Sequence, residues 1–120
     1  MRELQIGNQQ VRVRATPLAL LFYKQEFKAD LLGDMVKFEA VATDITKIDT
    51  VVILQIIWAM AKADVGVTGK FPSFVEWAGE LDSFDVSDKD LIRSAMDEAA
   101  DGFFRSGASG RKAPGEKTGK

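Results

Sequence analysis

Between Val51 and Ala61 the sequence reads VVILQIIWAMA, an apolar stretch broken only by Gln55. A helix needs about 20 apolar residues to cross a bilayer, so this one is too short to span a membrane. The β-branched run Val51-Val52-Ile53 suits a strand, but the length and the lack of turn residues favour a helix. The expected element runs from about Thr46 or Ile48 to Ala63. Being apolar nearly all round, it belongs at the centre of the fold. A chain of 120 residues, 46% of them apolar, can build one compact domain around such a rod.

The first segment alternates. Leu4 and Ile6, then Val11 and Val13, are separated by polar neighbours, and Gly7-Asn8 between them is a two-residue turn signal. That loop puts Leu4 opposite Val11, with all four apolar residues on one face. An isolated hairpin is barely stable, so this face should pack on a helix. Thr16 and Pro17 then suit the cap and first turn of a helix carrying Leu18, Leu20, Leu21, Phe22, Tyr23 and Phe27. So broad an apolar surface implies burial on more than one side. A kink or restart is expected near Lys28 to Asp30, followed by a second stripe of Leu32, Met35, Val36 and Ala40, slightly weakened by Gly33.

After the central helix, Val65 to Lys70 reads as a loop. Ser73 and Glu76 form a capping box ahead of Trp77 and Leu81. Ser87 to Asp90 repeats that logic more weakly. It opens a last helix with Ile92, Ala95, Met96, Ala99 and Phe103 inward, and Arg93, Asp97, Glu98 and Asp101 outward. From Ser106 the chain becomes SGASGRKAPGEKTGK, without large apolar groups, and is expected to be a disordered tail. The expected fold is mainly α with a short N-terminal hairpin: a helical domain of four to five helices over 1–105 and a flexible basic tail over 106–120.

Charge follows the same division. From Arg105 onward there are five basic residues and one acidic, leaving 11 basic and 17 acidic residues before it. An acidic body repels phosphates, which argues against nucleic acid as a partner. There is no cysteine and no histidine, so thiolate and imidazole metal sites and the commonest general base are missing. The N-terminus is too polar for a signal peptide.

Gly66-Val67-Thr68-Gly69-Lys70 resembles a phosphate loop only superficially. Its glycines are too close together, Phe71 follows the lysine, and a helix precedes it. Asp82, Asp85, Asp88 and Asp90 cluster without the glycine and terminal glutamate of a calcium loop. Acidic residues favour helix N-termini, which accounts for the cluster. These residues imply no catalytic group, no metal and no cofactor. Phe71, Phe74 and Trp77 fall at helical spacing, and Phe103 and Phe104 end the last helix. Core packing is the default account of these five aromatics. An exposed partner groove is the sharper one, because aromatics are common interface anchors.

Taken in order, the segments resemble a known family. A hairpin precedes Thr16-Pro17-Leu18-Ala19-Leu20, with Tyr23, Phe27 and Asp30-Leu31 behind it. A long apolar helix containing Trp58 follows, then Pro72-Ser73-Phe74-Val75-Glu76-Trp77, Leu81-Asp82 and a final helix ending Gly102-Phe103-Phe104. Over roughly positions 3 to 105 this order is similar to the tail assembly chaperones of long-tailed bacteriophages (siphophages). The resemblance implies a cofactor-free protein of the infected bacterial cytoplasm. It implies binding to the tape-measure protein, recruitment of the major tail protein to build the tube, and absence from the finished virion. In this family a longer form often arises by programmed frameshifting, and Thr118-Gly119-Lys120 is compatible with a slippery G-GGA-AAA codon string.

A chaperone of a long client gains avidity from many copies on one substrate. Oligomers or open helical stacks of subunits are therefore expected, since heterologous contacts that do not close generate filaments. Two other readings remain open: another small morphogenesis protein such as a head–tail joining factor, and a small regulatory domain or enzyme using the acidic cluster.

Overall fold

The computed structural model describes residues 1–40, 50–85 and 88–104. The expected start of the central helix before Thr50, any role of Ser87, and the tail over 106–120 lie outside the described residues. Within them the chain forms an antiparallel hairpin, β1 (Arg2–Ile6) and β2 (Gln9–Val13), followed by five helices. These are α1 (Pro17–Phe27), α2 (Leu31–Ala40), α3 (Thr50–Val65), α4 (Phe74–Gly79) and α5 (Lys89–Phe103).

The hairpin has the register its alternation predicts, with Leu4 opposite Val11 and Ile6 opposite Gln9. Gly7 alone of the two turn residues takes a positive φ, 59°, the pattern of a turn whose first central position favours glycine. Leu4, Ile6, Val11 and Val13 are all buried, each contributing roughly 1.5–3 kcal/mol. The face packs on two helices, with β2 against α3 and β1 against α5. The turn is fastened as well. The Asn8 N–H donates to Asp82 Oδ1 at 3.1 Å and Gln9 Nε2 to the Glu80 carbonyl at 2.8 Å. Asp82 thus braces the hairpin tip instead of joining a helix-capping cluster.

α3 is the central rod, with Ile53 and every residue from Ile56 to Ala61 buried. α1 lies along it, burying Ala19, Phe22 and Tyr23. Leu21, expected inside, faces outward. The expected Thr16 cap is also corrected. Pro17 does occupy the first turn, but the Thr16 side chain makes no capping bond. Its hydroxyl is buried without a hydrogen-bond partner. α1 ends at Lys28, whose left-handed backbone (φ 56°) returns its N–H to the Lys24 carbonyl, so the chain restarts where expected.

The Asp30 carboxylate accepts the Gly33 N–H at 3.1 Å and sets the phase of α2. That phase buries Leu31 and Met35 and exposes Val36, which the predicted stripe had placed inside. In the first turn of α2, Asp34 accepts the Tyr23 hydroxyl proton at 2.6 Å, a short charge-assisted bond that ties α2 to α1.

The Ser73–Glu76 capping box on α4 is present in both directions. The cap of α5 is Asp88, which accepts the Leu91 N–H at 3.1 Å. The inward line of α5 runs Leu91, Ala95, Glu98, with Ala99 beside it, while Ile92, Met96 and Phe103 pack only partly against the core. Glu98, expected on the outer face, is 6% exposed. Its carboxylate accepts the buried Ala15 N–H at 3.0 Å and pairs with Arg2 Nε at 3.4 Å, so it holds the start of β1 and the link that follows β2 to one helix. One turn further on, Gly102 meets Ala15 so closely that any Cβ would strike the Ala15 carbonyl.

Candidate interaction surface

The aromatic residues named from the sequence fall into two groups. Trp58, buried in α3, stands edge-on to Phe27 (centroids 5.5 Å apart) and Phe74 (6.4 Å), and it is tilted against Phe71 at 6.4 Å. Phe27 meets Phe74 at 5.1 Å, and Phe74 meets Trp77 at 6.3 Å. Perpendicular and offset rings align positive edges with negative faces, so the cluster is attractive beyond its buried area. Lys62 places its ammonium 4.6 Å from the Phe22 ring centre and 5.2 Å from that of Trp58, adding a cation–π contact on the same side.

Polar bonds fix the segment that carries these rings. Trp58 Nε1 donates to the Pro72 carbonyl at 3.1 Å. The Glu26 carboxylate accepts the Phe74 N–H at 3.0 Å, which locks the N-terminus of α4 onto α1. Trp77 is then 6% exposed, while Phe71 and Phe74 are half-buried against the core. Trp77 serves the core, and the other two rings form its outer edge.

The segments on either side of these rings carry residues the sequence patterns did not single out. Val67, in the loop after α3, is 71% exposed and Val75 on α4 is 76% exposed, with Val65 also open to solvent. Val75 follows Phe74 directly, so one turn of a short helix presents an apolar side chain outward and a half-buried ring inward. A lone exposed valine needs no explanation. Three of them in the segments that flank the half-buried Phe71 and Phe74 along the chain add exposed apolar groups to this part of the molecule. Only contact data could have found it, because nothing in the periodicity of a six-residue helix assigns its outward face.

Phe103 and Phe104 belong elsewhere. Phe103 packs partly on the core and Phe104 is 42% exposed at the C-cap of α5. Among the described residues, no ring contact joins them to the Trp58 cluster. Phe103 and Phe104 therefore lie outside that ring cluster.

Several charged groups pair with one another within the fold. Arg12 and Arg14 both pair with Asp64, at 3.4 and 3.2 Å, and Arg2 pairs with Asp101 as well as with Glu98. Among the described residues, no three His, Cys, Asp or Glu side chains converge to hold a metal ion. No helix there is long and apolar enough to cross a membrane. The phosphate-loop lookalike follows α3, with Gly66 at φ 93°. Comparison with known proteins returned no matching family model, no matching curated protein and no matching solved structure.

Proposed function

We propose that this protein is a tail assembly chaperone of a long-tailed bacteriophage, a non-enzymatic binder that shields the tape-measure protein during tail assembly. The reading rests on the ordered motifs of the sequence. The observation that best supports it is the exposure of Val65, Val67 and Val75, in the segments on either side of the half-buried Phe71 and Phe74, which make up the apolar corner. A client helix with an apolar stripe would gain by covering these side chains, at about 25 cal/mol per Å² removed from water. One such corner gives modest affinity. Many copies along one client would multiply it through avidity, which fits self-association into oligomers or stacks. A frameshifted longer form would recruit the major tail protein. The site of action would be the infected host's cytoplasm.

Co-expression with the tape-measure protein encoded beside it tests the proposal. The client should become soluble and co-purify with this chain, and purified virions should lack it by mass spectrometry. A client that stays insoluble, or a chain retained in the virion, refutes the reading. Retention would favour the head–tail joining alternative.

A further inference from the structure

The hairpin leaves an edge unpaired. Because Ile6 and Gln9 flank a two-residue loop, they exchange backbone hydrogen bonds, and so does the Leu4–Val11 pair. In the alternating ladder of an antiparallel pair, the intervening residues turn their N–H and C=O groups away from the partner strand. On β1 these are Glu3 and Gln5. Among the described residues, their outward backbone groups meet no hydrogen-bond partner. Beside that edge runs a groove of about 160 Å³, walled by Glu3, Leu4 and Gln5 on one side and by Asp88, Asp90 and Leu91 on the other.

We propose that this groove takes an extended basic peptide segment from another protein, which adds to β1 as a third strand. Three features select this occupant. A row of free N–H and C=O groups pairs with extended backbone and not with a helix. The groove is wide enough for a small apolar side chain, and Leu4 and Leu91, both buried, offer it an apolar floor. Its three charged residues, Glu3, Asp88 and Asp90, are all acidic, so lysine or arginine at alternate positions complements them. The site is distinct from the apolar corner and does not depend on the chaperone reading.

The probe is a labelled, end-capped peptide of alternating lysine and valine, titrated into the full-length protein and followed by fluorescence anisotropy. Binding is expected, weakening as salt is raised, and a glutamate–valine peptide should not bind. Successive N–H groups of a strand point to opposite sides. N-methylation of every valine, or instead of every lysine, therefore blocks one edge each time. One of these two peptides should bind at least about tenfold more weakly, and the other should keep its affinity.

Gln5→Pro removes only an outward N–H, which an edge strand tolerates, and should weaken binding about tenfold. Gln10→Pro, the equivalent change on β2, should leave binding intact. If Gln5→Pro fails to fold, the methylated pair still decides. Equal binding of both methylated peptides, or of the acidic one, overturns the proposal. So does binding seen only after truncation at Phe104, which would give the groove to the chain's own basic segment. Loss of self-association in Gln5→Pro without any peptide binding would give it to a second copy.

Discussion

The two ends of the hydrophobic core are closed by different physics. At the hairpin end, Ala15, just past β2, meets α5 through directed contacts: a buried carboxylate on its N–H, and a glycine that leaves room for its carbonyl. At the α3–α4 corner the closure is made by rings, with Trp58 at the hub and valines left outside. Directed bonds admit one geometry, so a partner at this end could only add to the free edge of β1. Ring edges and exposed methyl groups can be covered by another surface without breaking anything. The contrast separates an end held in one geometry from an end closed by side chains that another surface could cover, and each of its terms can be attacked by mutation.

The hub should be the most sensitive point. Trp58→Ala removes a buried ring with three aromatic neighbours and an N–H bonded to the Pro72 carbonyl. Truncations of this size cost about 3–5 kcal/mol, a large share of the 5–15 kcal/mol that holds a typical domain. Denaturant titration should show a collapse of stability, together with loss of near-ultraviolet circular dichroism. A change below about 1 kcal/mol would mean that the corner is not packed as described.

Glu98→Ala comes next. It leaves the Ala15 N–H buried without an acceptor and Arg2 without this partner, at an expected cost of about 2–3 kcal/mol. Glu98→Gln keeps an oxygen for Ala15 and should cost less than half as much. If the two variants were equally destabilised, the charge and not the hydrogen bond would be what matters.

Glycines sharpen the comparison further. Gly102→Ala drives a methyl group into the Ala15 carbonyl and should destabilise by about 1–3 kcal/mol. Gly79→Ala, at the end of α4, meets open space and should be neutral or stabilising by up to about 1 kcal/mol. Thermal melts of the pair, read as a difference, test the close approach of α5 to the hairpin independently of overall packing.

These contrasts also show what the sequence could and could not reveal. The hairpin register, the central helix and the Ser73–Glu76 box were legible because each depends on neighbours within about ten residues. Glu98 was not, because its acceptor role is set by a residue 83 positions away, and a carboxylate in an amphipathic helix reads as solvent-facing. The phase of α2 turned on Asp30 capping Gly33. A shift of one residue exchanged Leu31 for Val36 at the core. The aromatic residues were found by spacing, but spacing does not say which ring faces inward. Trp77 went to the core, and the outward positions fell to valines that no pattern had marked.

The smallest effect on stability should come from those valines, and there the binding end meets its strictest test. Val67 and Val75 touch little of the core, so Val67→Lys and Val75→Lys should each change unfolding free energy by no more than about 0.5 kcal/mol. Binding should behave in the opposite way. A charge set in an apolar contact is desolvated without a partner, so under the proposed function co-purification of the tape-measure protein should fall sharply in either variant and vanish in the double. Leu21→Lys, at an exposed apolar position on α1, controls for loss of surface apolarity in general. If the Leu21 variant lost the client and the valine variants kept it, the apolar corner would be an ordinary piece of surface and the binding face would lie on α1.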